Sequence, residues 1–484
     1  MGMGFTGMVL GSMLAEERTS GGQSATGEAS PVPAPSAIAK ADSVIWLFMM
    51  GGVSQMESFD PKPALNRYGG QTIRATPASS VISQDNLQLQ QFGPELRYDT
   101  RILPLQVGFR QRGQSGLAIS DWWEHVGACA DDLAIVRSMW TTDTEHSAVF
   151  QFNTGRSLRD SPQPSLGSWC SYGLGTLNRD LPRFVVMGVT PLTHQGGPGS
   201  HNGGYLGPEH DGVRIGTDRA TVLPYRPERV HPSQQVQRRE LELIQRLNGI
   251  AAAEYPNDPA LTARIQSYEL AFGMQTALPE VVDLEQETAS TQALYGMDEP
   301  ETRPLGEQCL IARRLVERGV RFIQIYHGGN PGNDSGDWDA HENLRENHTR
   351  MCRKADKPIA GLLRDLKRRG MLERTLVVFA TEFGRSPNID IRTPCGPMDE
   401  NVRTGRDHHI YGFSAWLAGA GIKGGMTHGR TDELGFHAVE NRHYVTDLHA
   451  TVLHQLGLDS HRMQFPGQQR LAMDRGQVIR EILS

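Results

Sequence analysis

The stretch "SVIWLFMMGGVSQMESFDPKP" at residues 43–63 decides the fold. It opens with an unbroken apolar run from Val44 to Met50. A strand with one wet face alternates apolar and polar residues, whereas a continuous run marks a strand buried on both faces, as in a parallel sheet covered by helices. Gly51 and Gly52 end the run and permit a backbone path that side chains would block. Ser54, Glu57, Asp60 and Lys62 follow within ten positions of Gly52. The stretch therefore reads as a buried strand that delivers polar groups to one edge of a sheet.

Strands and helices alternate outward from it. "LAIVRSM" (133–139) and "LPRFVVM" (181–187) are strand candidates, and "HSAVFQFNTGR" (146–156) is a helix closing on Gly155. "SDWWEHVGACADD" (120–132) has helical character, and Pro259 opens a helix within the helical region 233–275. Further on come a helix ending at Gly319, a strand at 320–327 and a helix at 342–370 with a kink or break expected at Pro358. Strands at 375–381 and 413–419 follow, then a helix from a Thr446 cap to Gly457. This order predicts an α/β fold, a three-layer α/β/α sandwich with a mostly parallel sheet.

Bulk properties exclude several functions. The 484 residues are 38% hydrophobic and 21% charged, which suits a soluble globular chain with an ample core. A net charge of −7 offers no basic excess for phosphate backbones, so no nucleic-acid partner is expected. The five cysteines are widely spaced and form no C-x-x-C, which argues against a disulfide framework or a cysteine-built zinc site. No run reaches the roughly 18 apolar residues of a transmembrane segment. Residues 1–18 are apolar and small, about as long as a signal-peptide core, but lack its positive region. Residues 19–42, rich in Ser, Gly, Ala and Pro, read as a disordered linker.

In open α/β sheets, sites lie beyond the carboxyl ends of the strands. Ser54 and Glu57 follow the first strand, and Asp143, Thr144, Glu145 and His146 the second. The strand at 320–326 is followed by His327, Asp334, Asp337, Asp339 and His341. Glu382 and Arg385 follow 375–380, while Asp407, His408 and His409 precede 413–417. Eleven of the 17 histidines lie after residue 320. Carboxylates with neutral imidazoles suit Zn²⁺, Mn²⁺ or Fe. A solvated Asp- and Gly-rich turn is the plainer reading of "DWDAH" (337–341) alone; convergence with Glu382 and "RDHH" (406–409) favours a metal.

These segments together resemble a family of exported bacterial proteins, domain of unknown function 1501, itself similar to the sulfatase and alkaline phosphatase superfamily. "FMMGGVSQMESFDPKP", "TGR" (154–156), "PSLGSW" (164–169), "WDAHEN" (338–343), "TEFGRSP" (381–387), "GRDHH" (405–409) and "TDLHATVLHQLGLD" carry the likeness, from about residue 43 to 470. The resemblance implies an alkaline-phosphatase-like domain over 43–484, with insertions at about 64–120 and 188–300. It implies a metal site and hydrolysis of sulfate or phosphate esters. Members usually begin with a twin-arginine export signal. Residues 1–18 look like the part after the arginines, so they are read as a signal remnant and the protein as exported, periplasmic or in the cell envelope.

The superfamily's motifs carry over unevenly. Glu382 stands where its metal-binding Asp stands, and Phe383 replaces its His. Asp337 and His341 resemble its Asp-x-x-x-His pair, with Asp339 a rival. His408 or His409 supplies a further imidazole. Glu145 occupies the nucleophile's register, where relatives carry Cys, Ser or Thr. The expected site therefore has metal ligands among Asp337, Asp339, His341, Glu382 and His408. Catalytic groups are Glu145 or His146 as base and Arg385 on the anion, and Ser54, Glu57 and His409 line the pocket. The expected cofactor is a divalent metal, Zn, Mn or Ca, and the substrate a small-molecule or glycan ester. The alternative is a non-catalytic ligand- or glycan-binding protein on the same fold.

Overall fold

Strand β1 (Ser43–Met49) is buried along its whole length in the computed structural model of the protein. The structure describes residues 39–82, 101–217, 259–328, 337–390 and 404–484, with scattered positions between 222 and 250. The expected signal remnant (1–18), the linker as far as residue 38, His231, Asp334 and Cys395 lie outside the described residues. Ten further strands matter for the site: β2 (Leu133–Trp140), β3 (Phe184–Gly188), β4 (Val213–Arg214), β5 (Phe322–His327), β6 (Thr375–Ala380), β7 (Gly384–Ile389), β8 (Arg406–His409), β9 (Phe413–Ala418), β10 (Met426–His428) and β11 (His443–Tyr444).

All but β7 and β8 form a nine-stranded sheet in the order β10-β2-β9-β6-β1-β5-β3-β4, with β11 also on β2. β1 lies between β5 and β6, parallel to both. Its alternate residues feed two cores. Ile45, Leu47 and Met49 join the core under helices α3 (Pro259–Val281), α4 (Arg303–Glu317) and α5 (Leu344–Arg368), which follow helices α1 (Ala148–Thr154) and α2 (Leu166–Leu174) in the chain. Val44, Trp46 and Phe48 join the other core, under α1, α2 and α6 (Val445–Gln455). Helices on both faces explain why β1 has no polar alternation. The protein is an α/β fold of three layers with a mostly parallel sheet.

One strand runs against the rest: β9 is antiparallel to both β2 and β6. Its amino end therefore lies at the edge where the parallel strands have their carboxyl ends. That brings "RDHH", which precedes β9, to the same edge as the loops after β1, β2, β5 and β6. β7 and β8 pair there as an antiparallel ribbon, with His408 opposite Arg385.

Three local expectations need correction. Of the kink or break expected at Pro358 the break is absent: α5 continues through it, because Met351, Ala355, Leu362 and Leu363 around it are buried in the core and packing overrides the lost hydrogen bond. The last helix starts at Val445 with Tyr444 as its cap; Thr446 instead donates to the Met473 carbonyl at 2.6 Å. Residues 120–132 hold only a short helix, Glu124–Gly127, and a 3₁₀ turn. There the Asp356 carboxylate accepts the His125 and Val126 N–H groups, both at 2.7 Å. Among the described residues no helix is long and apolar enough to cross a membrane.

Candidate metal centre

Gly51 and Gly52 carry the chain off β1 with φ of +118° and +83°. A Cβ on Gly51 would stand 2.5 Å from the Asp339 nitrogen and 2.7 Å from that of Trp338. The glycines thus let the loop after β5 lie directly on the loop after β1. Trp338 is wholly buried and stacks on Trp123 at 5.9 Å, which anchors the residue before Asp339.

Three imidazoles surround the Asp339 carboxylate. Asp339 Oδ1 lies 2.9 Å from His341 Nε2 and 3.1 Å from His408 Nε2, and Oδ2 lies 3.1 Å from His146 Nε2. The Nε2 atoms of His341 and His408 are 3.0 Å apart. Each ring is held from behind through Nδ1. His408 Nδ1 donates to the Thr144 carbonyl at 2.8 Å, His341 Nδ1 faces Asp390 Oδ2 at 2.5 Å, and His146 Nδ1 faces Glu382 Oε1 at 3.3 Å. In a neutral ring, the form that burial favours for His408, a proton committed at Nδ1 leaves the Nε2 lone pair facing inward. Phe383, wholly buried, packs on His408 with ring centres 4.3 Å apart and on His146 at 5.6 Å.

Arg385 is also wholly buried, and its donors are committed. Nε donates to the Gly52 carbonyl at 2.9 Å, Nη1 to that of Arg406 at 3.1 Å, and Nη2 to the Gly51 carbonyl and to Asp339 Oδ1, the latter at 2.6 Å. Burial alone would raise the pKa of Asp339; Arg385 and the three imidazoles override it and hold the carboxyl well below the usual carboxylate range. Burial pulls His146 down, but Asp339 and Glu382 outweigh it and raise its pKa to about 10. Burial, with Arg385 adding to it, holds His408 well below the usual imidazole value. Burial and then the Asp339 charge raise Asp337.

The donor set suits a borderline divalent cation, one carboxylate with three imidazoles. Asp339 Oδ1 and the Nε2 atoms of His341 and His408 are three acceptors within 2.9–3.1 Å of one another. Their lone pairs repel unless a proton or a cation lies among them. Ligands at ~2.0–2.1 Å from a tetrahedral ion stand roughly 3.3 Å apart, so these three atoms would need to move only a few tenths of an ångström. Asp339, His146 and His408 can present ligand atoms within 4.8 Å of one another, and so can His341, Asp390 and Asp407.

The other sequence candidates fall into distinct places. Glu382 is wholly buried, accepts the Gly51 N–H at 2.8 Å and stands behind His146. Asp337 lies beside the cluster, its carbonyl accepting from Asn347 at 3.1 Å. Glu145 is exposed on the residue before His146. Ser54 and Glu57 are wholly buried and not brought to the cluster: Ser54 Oγ donates to Glu57, which pairs with Arg406 at 2.7 Å. His409 turns its Nε2 to the Phe436 carbonyl and packs on the Phe436 ring at 4.5 Å, since alternation along β8 points it away from His408. Asp390 and the Thr144 carbonyl were missed from sequence. The hint for Asp390 was an acid one residue beyond a strand that begins at the "EFGR" motif. A cavity of about 670 Å³ at the amino end of β3, walled by Arg183, Phe184 and Met274, lies away from the cluster.

Residues 41–483 match the family described as "Protein of unknown function (DUF1501)". No curated protein matches the chain. Among solved structures, the PsFucS1 sulfatase from Pseudoalteromonas sp. is similar at 12% identity and a TM-score of 0.38, over 91% of this chain and 72% of that one. The lipoteichoic acid synthase LtaP from Listeria monocytogenes is similar at 9% identity and 0.37, over 91% and 78%. A TAB5 alkaline phosphatase variant with Mg bound is similar at 10% identity and 0.34, over 87% and 99%. These are distant likenesses of shape.

Proposed function

The chain belongs to the family of proteins of unknown function DUF1501, and from that premise we propose that it is a metal-dependent hydrolase of sulfate or phosphate esters acting in the cell envelope. The observation that carries the proposal is the Asp339 cluster, three imidazoles each tied at Nδ1 and turned at Nε2 to one carboxylate. Asp339, His146, His341 and His408 would hold the metal, Zn, Mn or Ca. When bound, the metal supplies a Lewis acid for an ester oxygen and makes water more acidic.

The chain's own residues do the rest. Glu382 and Asp390 hold the Nδ1 protons of His146 and His341 and so fix Nε2 as the nitrogen turned to Asp339, where the metal would be held. Arg385 keeps Asp339 ionised, and with its donors on carbonyls it serves to position that carboxylate. Phe383 excludes water from one side of the imidazoles. Glu145, exposed beside His146, is assigned as the proton acceptor.

One observation favours the alternative, a non-catalytic ligand- or glycan-binding protein. Among the described residues, no Ser or Thr hydroxyl hydrogen-bonds to Asp339, His146, His341 or His408. The deciding experiment strips metal from the purified protein, restores Zn²⁺, Mn²⁺ or Ca²⁺, and assays 4-nitrophenyl sulfate and phosphate. Hydrolysis that returns with one metal and is absent from Asp339→Asn supports the hydrolase. Folded protein that is inactive with all three metals overturns it and leaves the binding protein.

A further inference from the structure

A second pair of imidazoles meets at the lateral edge of the sheet, beyond β2. β10 and β11 lie end to end along the same edge of β2, with His428 opposite Val136 and His443 opposite Met139. Their Nε2 atoms are 2.9 Å apart. His443 Nδ1 faces Asp447 Oδ2 at 3.1 Å, and Asp447 Oδ1 accepts the Gln477 N–H at 2.8 Å. A fixed carboxylate thus orients one imidazole from behind, as Asp390 does for His341. His428 is 6% exposed and the His443 side chain 14%, so the pair borders solvent and water can complete a coordination shell.

We propose that His428 and His443 form a second site, for a transition-metal dication that prefers imidazole, such as Zn²⁺, Ni²⁺ or Cu²⁺. The two residues close the ends of the excursion 429–442. That excursion walls the loop after β1, where Gly435 accepts from Gln55 at 3.2 Å and Thr431 donates to Asp60, and it also meets β8, where Phe436 accepts from His409. A metal here ties both ends of the excursion to the sheet edge and stabilises the wall, a structural role independent of ester hydrolysis. Asp447 is its positioning residue.

The test uses the full chain and Zn²⁺ alone, with zinc counted on washed protein by elemental analysis and the thermal midpoint read with and without zinc. His428→Gln and His443→Gln are each expected to lose about one equivalent relative to the parent, together with much of the zinc-dependent rise in midpoint. Asp447→Asn is expected to weaken the same equivalent by about 10–100-fold. If the parent holds a single zinc that only these variants lose, this site stands and the Asp339 centre falls. If the zinc count and midpoint shift of the variants equal those of the parent, the pair is only an N–H···N hydrogen bond and the proposal is overturned. Should the glutamine variants fail to fold, His443→Cys, which keeps a zinc ligand, must bind the second equivalent; a folded, zinc-deficient His443→Cys also overturns it.

Discussion

Two clusters of charge border the loop after β1, and β8 contributes to both, Arg406 to one and His408 to the other. Around Arg406 the hydrogen bonding is complete. Nη2 and Nε hold the two oxygens of Glu57 at 2.7 and 3.2 Å, and the remaining donors reach the carbonyls of Pro387 and Leu103 at 2.7 and 3.0 Å. Around His408 three Nε2 atoms crowd one carboxylate. A closed set of partners fixes structure; imidazole nitrogens converging on one carboxylate make a donor set that suits a divalent cation. Both clusters are rich in charge, so charge alone does not separate them.

Breaking the closed cluster should do the most damage. Glu57 and Arg406 are each wholly buried, so Glu57→Gln or Arg406→Met leaves a charge unpaired. The expected loss is about 3–5 kcal/mol of unfolding free energy, read by denaturant titration. A loss below about 1 kcal/mol would mean the pair is not closed in the way described. In the open cluster the same kind of change should act on metal instead. Asp390→Asn should weaken metal binding by about 10–100-fold through His341, with a far smaller change in the stability of the metal-free protein. Equal metal affinity in this variant would remove Asp390 from the site.

The smallest expected effect is on pH. Without metal, the folded pKa of His146 is raised from 6.5 to about 10 by Asp339 and Glu382, against the pull of burial. A raised folded pKa stabilises fully below the unfolded value and fades above it. Metal-free protein should therefore lose stability as pH rises from 6.5 towards 10, and His146→Gln should flatten that slope. Identical slopes would show that His146 is not held as a cation.

The sequence made the fold and the edge of the site legible because both rest on local pattern. The unbroken run in β1, the glycine pair and the Gly155 cap depend on neighbours in the chain. The antiparallel course of β9 did not show, yet it is what brings His408 to the cluster. Membership of the site was harder to read. Ser54 and Glu57 sit in a motif beside the glycines, but their partner Arg406 is 349 residues from Glu57. Arg385 looked like an anion holder by residue type; its burial against four carbonyls depends on loops far apart in sequence. Asp390 acts only through His341, and no spacing rule marks such a partner.

The most direct measurement is anomalous diffraction from crystals grown with Zn²⁺ or Mn²⁺, collected above and below the metal's absorption edge. The expected result is a peak bounded by Asp339, His341 and His408, with His146 turned to it and Glu382 and Asp390 behind the rings. Density at the Asp339 cluster that shows no metal at saturating concentration, with the imidazoles still hydrogen-bonded to one another and to Asp339, would contradict it.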